Sequence, residues 1–309
     1  AGPEEIRERR ISAAHMIAFL VLLPFDRMYS ELVLVSFFLH AIIHINRERM
    51  AGIFRKQTML LASLFLLNAA WLIISPDKKE GADYLVRQLA LLLFPIIFAV
   101  TGDTVRYYRK AVLISFAISA VATLLYLYAD ALRIIFYYHL PVKSLFTQAF
   151  INHNFSAPIG LHATYLSLYV ALSAVILLHY LLEGPKKLTA AVYVAGLLLL
   201  FGGLVQLSSK AVLFSFLFVC LFLFPVFLPA SKKRTMLLLA VVAGSLLAVA
   251  GITRVGAFQK RFVAGLKEDL TQQSINNELI DSRVSRWEAA LPLVMQSPVW
   301  GHGTGAAKS

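Results

Sequence analysis

Residues 188–206 read LTAAVYVAGLLLLFGGLVQ, a stretch with no charged side chain, preceded by Lys186 and Lys187 and followed by Lys210. A hydrocarbon core about 30 Å thick is crossed by about 20 predominantly apolar helical residues, so this stretch has the length of one transmembrane helix. Comparable apolar runs recur along the chain. They are continuous rather than alternating, which excludes the strands of a membrane β-barrel. Of the 309 residues, 59% are hydrophobic and 15% charged, whereas a soluble domain carries about 25% charged residues; mean hydropathy is +0.73. The pattern predicts an all-α fold, a polytopic transmembrane helix bundle of about nine spans, near 11–25, 31–45, 58–75, 85–100, 110–128, 160–182, 188–206, 210–228 and 236–252. The chain then divides into a bundle over 1–252 and a polar, charged segment over 253–309.

The net charge of +12 does not form a nucleic-acid-binding patch, because it is distributed in short clusters between the apolar runs, and no nucleic-acid partner is expected. One set of loops carries Arg7, Arg9 and Arg10, then Arg47, Arg49, Arg55 and Lys56, then Arg106, Arg109 and Lys110, then Lys186 and Lys187, then Lys232, Lys233 and Arg234. The alternate set carries only Arg27, Lys78, Lys79, Arg133, Lys143 and Lys210. Basic loops are retained on the cytoplasmic side. The N-terminus is therefore expected inside and residues 253–309 outside, in a multi-pass membrane protein surrounded by membrane lipids. Cys220, the single cysteine, can form no internal disulfide. No cleavable signal peptide is evident, and a first residue of Ala rather than Met suggests a trimmed or partial N-terminus.

The 17 acidic residues fall in loops or at span ends. An ion-driven carrier usually needs an intramembrane acid or a broken helix pair, and no internal repeat is visible. Both points weigh against the alternative reading, a transporter or flippase of lipid-linked saccharides. The cations point elsewhere. Arg87 is expected in the first turn of the fourth span, Lys210 opens the eighth, and Arg254 follows the ninth, all at the outer face. Each could simply snorkel to the interface. Together they could form a cationic site for a lipid phosphate or diphosphate, which Arg holds with bidentate hydrogen bonds.

Residues 282–297 are predicted to form an interfacial helix, capped by Asp281 or Ser282 and interrupted or bent at Pro292. Val284, Trp287, Leu291 and Val294 make one apolar stripe, with Arg283 at its edge and Arg286 farther toward water. A surface helix resting on lipid accounts for the same pattern. The glycines at 301, 303 and 305 read as a tight turn, or as a loop whose backbone N–H groups face an anion. None of the eight histidines has convincing metal-ligand spacing, so no metal is expected; His40 and His44 read as packed or interfacial. The longest internal loop, 129–159, carries Tyr137, Tyr138, His139 and Asn152-His153-Asn154. His153 and His162, at the outer face, could contact substrate.

Several segments resemble the O-antigen ligase and O-antigen polymerase superfamily of bacterial inner-membrane glycan enzymes. They are the Ser208-Ser209-Lys210-Ala211 helix start, the Ser282-Arg283-Val284-Ser285-Arg286-Trp287 segment with the following Ser297-Pro298-Val299-Trp300-Gly301-His302-Gly303, and His162-Ala163-Thr164-Tyr165. The resemblance implies a metal-independent membrane glycosyltransferase without cofactors. Its donor would be an undecaprenyl diphosphate-linked glycan and its acceptor a lipid or glycan, with residues 253–309 starting a large periplasmic loop. By position it implies Arg283 and Lys210 as diphosphate-binding cations; Arg87 joins them through its expected place at the outer face, and His162, His153, Tyr165 and Trp287 are the candidate glycan or acceptor contacts. The family's catalytic histidine would follow the glycine turn, beyond Ser309. The chain therefore reads as C-terminally truncated and, as it stands, is expected to lack turnover.

Overall fold

A computed structural model describes residues 2–25, 27–227, 232, 235, 239, 241–244, 256–259 and 282–304. Every regular element among them is helical. In order these are α1 (Pro3–Leu22), α2 (Arg27–Ile43), α3 (Arg47–Ile53), α4 (Lys56–Trp71) with a 3₁₀ extension Leu72–Ile74, α5 (Lys78–Gln88), α6 (Ala90–Tyr137), the short α7 (His153–Ser156), α8 (Ala163–Leu182), α9 (Lys187–Leu207), α10 (Lys210–Phe218), a π turn Val219–Leu223, α11 (Phe224–Phe227), α12 (Gly256–Gln259) and α13 (Ser282–Gln296). Helices dominate because an apolar solvent offers the backbone no hydrogen-bond partner, and a helix satisfies its own N–H and C=O groups.

Among the described residues, five helical stretches are long and apolar enough to cross a membrane: Lys56–Ile74, Lys78–Tyr137, Ala163–Leu182, Lys187–Leu207 and Lys210–Phe227. Met28–Ile43 is apolar but shorter. Of the nine expected, 58–75, 160–182, 188–206 and 210–228 correspond to four of these, 11–25 is not among them, 31–45 corresponds to the shorter stretch, and 85–100 and 110–128 fall in the one stretch Lys78–Tyr137, joined through 101–110, expected as a loop between the fourth and fifth spans. There the chain stays helical, and α6 runs for 48 residues, about 70 Å at 1.5 Å per residue. The segment contains one glycine and no proline, and Asp103, Arg106, Arg109 and Lys110 are exposed, so its polarity gives the backbone no reason to leave the helix. Pro95 also lies within α6. Most of the expected ninth span, 236–252, lies outside the described residues.

The chain forms two compact units, one of residues 1–16, 31–109 and 272–309, the other of residues 17–30 and 110–271. In the first, α1 meets α2 through a ladder of histidine rings. His15 stacks on His40 at 5.3 Å, and His40 lies 4.4 Å from His44. The ring nitrogens are taken by Ser12 Oγ, Ser36 Oγ and the carbonyls of Ile11 and His40, so His40 and His44 are packing groups. Arg49 pairs with Glu8 at 2.5 Å.

In the second unit α6, α8 and α9 pack closely. Ala117, Ala120 and Leu124 meet Leu166, Val170 and Ala174 and, from α9, Leu200, Leu204 and Leu207, all buried. Small residues permit the approach: a Cβ on Gly196 would come within 2.9 Å of a Leu177 methyl, and one on Gly203 would overlap Leu124. Without a hydrophobic driving force between helices in lipid, this close packing and interhelical hydrogen bonds supply the attraction. Gln206, 2% exposed, caps the bundle. Its Nε2 donates to Leu145 O at 2.7 Å and to Phe150 O at 2.5 Å. Gln206→Leu would leave two carbonyls without donors and is expected to lower stability by about 1–3 kcal/mol, measured as a fall in thermal midpoint of the detergent-purified protein.

Candidate functional site

The second unit places the long loop after α6 against the two-residue turn between α9 and α10. Among the described residues, three non-glycine residues have positive φ: His139 (53°), Asn152 (60°) and Ser208 (49°). Such conformations cost about 1–3 kcal/mol each and collect at functional sites. Two of the three are neighbours here, because Asn152 N donates to Gln206 O at 3.0 Å. Ser208 ends α9 in the left-handed conformation, with its hydroxyl on Val205 O at 2.7 Å. Ser209 then caps α10 by position, although its side chain makes no capping bond, and Lys210 is the first helical residue. A lysine in a first turn adds its charge to the positive end of the helix dipole, so this corner concentrates positive potential.

His153 and His162 come together, with ring centroids 4.1 Å apart and planes at 70°. Tyr165 lies 5.7 Å from His162, and all three side chains are exposed. His162 is the N-cap of α8, its Nδ1 accepting from Thr164 N at 3.3 Å. With Nδ1 an acceptor, the neutral ring carries its proton on Nε2, which is then a donor. His162 is thus suited to hold a hydroxyl or sugar oxygen.

In the first unit, Arg87 is exposed in the last turn of α5, not in the first turn of a span as the sequence suggested. Only Leu89 separates α5 from α6, itself in the right-handed helical region, with Leu89 N donating to Val86 O, so Arg87 lies within the stretch Lys78–Tyr137. Arg283 falls in the first turn of α13, although its side chain, like those of Ser282, Val284 and Arg286, is outside the described residues, as are Asp281 and Arg254. The helix continues through Pro292. Trp287 is 77% exposed, and Leu291, Val294 and Met295 are exposed on the same face.

The glycine turn after α13 is a docking element that the sequence did not reveal. Gly301 N donates to Ser297 O at 3.0 Å, and Ser297 Oγ donates to Gly301 O at 2.9 Å. His302 Nε2 lies 2.9 Å from Leu293 O. The turn then fastens onto the end of α4. Trp71 Nε1 donates to Trp300 O, and the two indoles stack at 6.1 Å with planes 16° apart. Thr304 Oγ1 donates to Asn68 O at 2.6 Å, and Ser75 Oγ donates to Thr304 O at 2.5 Å. Ser75 and Thr304 are both buried. These three side-chain hydrogen bonds and the ring contact, at about 1 kcal/mol each, contribute about 4 kcal/mol. Trp71 at the end of an apolar run and the unpaired spacing of Gly81 and Gly303 were the available signals, but nothing in the sequence pairs them.

Residues 194–309 match the sequence model of a family described as O-antigen ligase. Neither the curated proteins nor the solved structures compared with the chain give a match. The family match supports the O-antigen ligase superfamily and gives no support to the carrier alternative. It takes in Lys210, Arg283, Trp287 and the glycine turn, while Arg87, His153, His162 and Tyr165 lie before it.

The turn supplies a direct test. Gly303 has φ 92°, and a Cβ there would lie 2.7 Å from Ser75 Cα and 2.9 Å from Ser75 N. Gly303→Ala is expected to release the turn, seen as faster proteolysis between 297 and 304 in the membrane-embedded protein, while Gly256→Ala, where a Cβ meets nothing within 4 Å, leaves the rate unchanged.

Proposed function

We propose, starting from the O-antigen ligase family that residues 194–309 match, that the protein transfers a glycan from undecaprenyl diphosphate to a lipid or glycan acceptor at the periplasmic face of a bacterial inner membrane. The observation that carries this reading is the presence of Lys210 and Arg283 within the matched segment of a chain otherwise made of membrane-length apolar helices. The periplasmic side is the one given by the distribution of Lys and Arg. Contacts within each unit support it, because they join segments that the charge distribution puts on one side. Glu8 pairs with Arg49 and Lys110 with Glu183 among the expected cytoplasmic segments. Ser75 bonds Thr304 and Asn152 bonds Gln206 among the expected outer ones.

The chemistry follows from the charges. An acceptor hydroxyl oxygen attacks the anomeric carbon, the carbon–oxygen bond to the carrier breaks, and the carrier leaves as a diphosphate. Charge develops on that leaving group, and cations fixed beside it stabilise the transition state more than the ground state. Arg283 supplies two parallel N–H donors, whereas Lys210 supplies a point charge and no fork. Arg87 is the third cation proposed for the diphosphate. The acceptor's proton needs a base poised near neutral pH, for which a neutral histidine is suited. His162, His153 and Tyr165 are assigned to holding glycan or acceptor hydroxyls, and Trp287 to a sugar or lipid face. The polyprenyl tail needs only an apolar surface, such as the exposed leucines of α4.

In membranes containing the full chain, Arg283→Ala and Lys210→Ala are each expected to reduce glycan transfer about 100-fold or more without lowering the amount of protein in the membrane. Lys210→Arg is expected to retain transfer. Wild-type transfer rates in both alanine variants would overturn the assignment.

A further inference from the structure

The docked turn is tied at both ends to elements that carry proposed diphosphate ligands. On one side, the bonds from Gly301 N to Ser297 O and between His302 and Leu293 O stitch it to the last turns of α13, the helix whose first turn contains Arg283. On the other side, Thr304 Oγ1 holds Asn68 O at 2.6 Å. The side chain of the same asparagine donates from Nδ2 to Gln88 Oε1 at 2.8 Å, and Gln88 is the neighbour of Arg87 at the end of α5. The start of α5 is held as well. Ser75 precedes its cap Asp77 and bonds Thr304, and a Cβ on Gly81 would meet Thr304 O at 2.5 Å. α5 is therefore fixed near both ends by contacts that converge on Thr304 and Asn68.

We propose that Asn68, Ser75, Gln88 and Thr304 are positioning residues that lock the glycine turn to α5, so that Arg87 and the Arg283-bearing helix are held in fixed register for one diphosphate. This rests on the diphosphate reading above and adds to it. Asn68, Ser75, Gln88 and Arg87 all lie before the family-matched segment, so the clasp is one of the points at which the first part of the chain joins the matched part, beside the Gln206 bonds and the packing of α9. Two long cationic side chains on independently mobile helices would lose that freedom on binding. Helices already fixed avoid part of this loss. His302 acts here as a turn-stapling group.

The test uses the full chain in native membranes, with glycan transfer measured at varied concentrations of the lipid-linked donor. Thr304→Val removes the hydroxyl at nearly constant volume, and Thr304→Ser keeps it. Thr304→Val and Gln88→Leu are expected to raise the donor KM about 10-fold with kcat within about 2-fold of wild type, the signature of weakened donor binding. Thr304→Ser is expected to restore the wild-type KM. A purely structural role would lower the amount of protein or kcat and leave KM unmoved, and that result overturns the proposal. Should Thr304→Val fail to accumulate, Gln88→Leu decides by the same KM. Arg87→Ala and Arg283→Ala are measured in parallel. Loss of transfer in these with an unchanged KM in Thr304→Val and Gln88→Leu sinks the clasp alone. Full transfer in Arg87→Ala and Arg283→Ala sinks the diphosphate reading, and the clasp's assigned role with it.

Discussion

A carbonyl group that leaves a helix beside an apolar medium must find a donor, and this requirement shapes both units of the protein. Inside the helices the i−4 bonds meet it automatically. Where helices end, particular side chains meet it. Gln206 Nε2 serves Leu145 O and Phe150 O in the second unit. Trp71, Ser75 and Thr304 serve Trp300 O, Thr304 O and Asn68 O in the first. Among these polar plugs, the bonds of Gln206, Ser75 and Thr304 are buried or partly buried, where a hydrogen bond is worth more because less water competes for it, whereas that of Trp71 is exposed.

The same plugs gather the functional candidates. Gln206 sits directly before the Ser208–Lys210 turn, and its backbone carbonyl holds Asn152, the residue before His153. The loop histidines and Lys210 are thus attached to one helix end by hydrogen bonds distinct from the apolar packing of α6, α8 and α9. In the other unit the turn at 301–304 links the termini of α4, α5 and α13. In both cases strained or glycine backbone marks the point of close approach: Asn152 and Ser208 at positive φ, and Gly303 where only a hydrogen fits against Ser75. Backbone strain of this kind persists only where its surroundings hold it in place.

Much of the fold was legible because membrane-length helices are coded locally. Residues 188–206 and 160–182 became α9 and α8 within a few positions, and 58–75 became α4 with its 3₁₀ extension. The misreading at 101–110 has an equally local cause. Charged side chains were taken as a loop signal, yet a helix is broken by proline, by glycine or by the loss of backbone partners, and polar side chains supply none of these. Arg87 lies inside the stretch Lys78–Tyr137 and not in its first turn, because the helix starts upstream at its Asp77 cap, before the apolar run begins.

Composition and run length alone determined the helical character of the described residues and their membrane-length stretches, because hydrocarbon thickness and backbone hydrogen bonding leave little choice. Short motifs around Lys210, Arg283 and Trp300 were enough to show the resemblance to the O-antigen ligase superfamily, which the match over 194–309 supports. Only the tertiary structure decided that His153 faces His162, that Gln206 closes the loop after α6, and that the glycine turn belongs to Trp71 and Ser75. The partners in that last contact are 229 residues apart. Such pairings depend on which donor reaches which carbonyl once the helices have packed, and no periodicity or spacing along the chain encodes that distance.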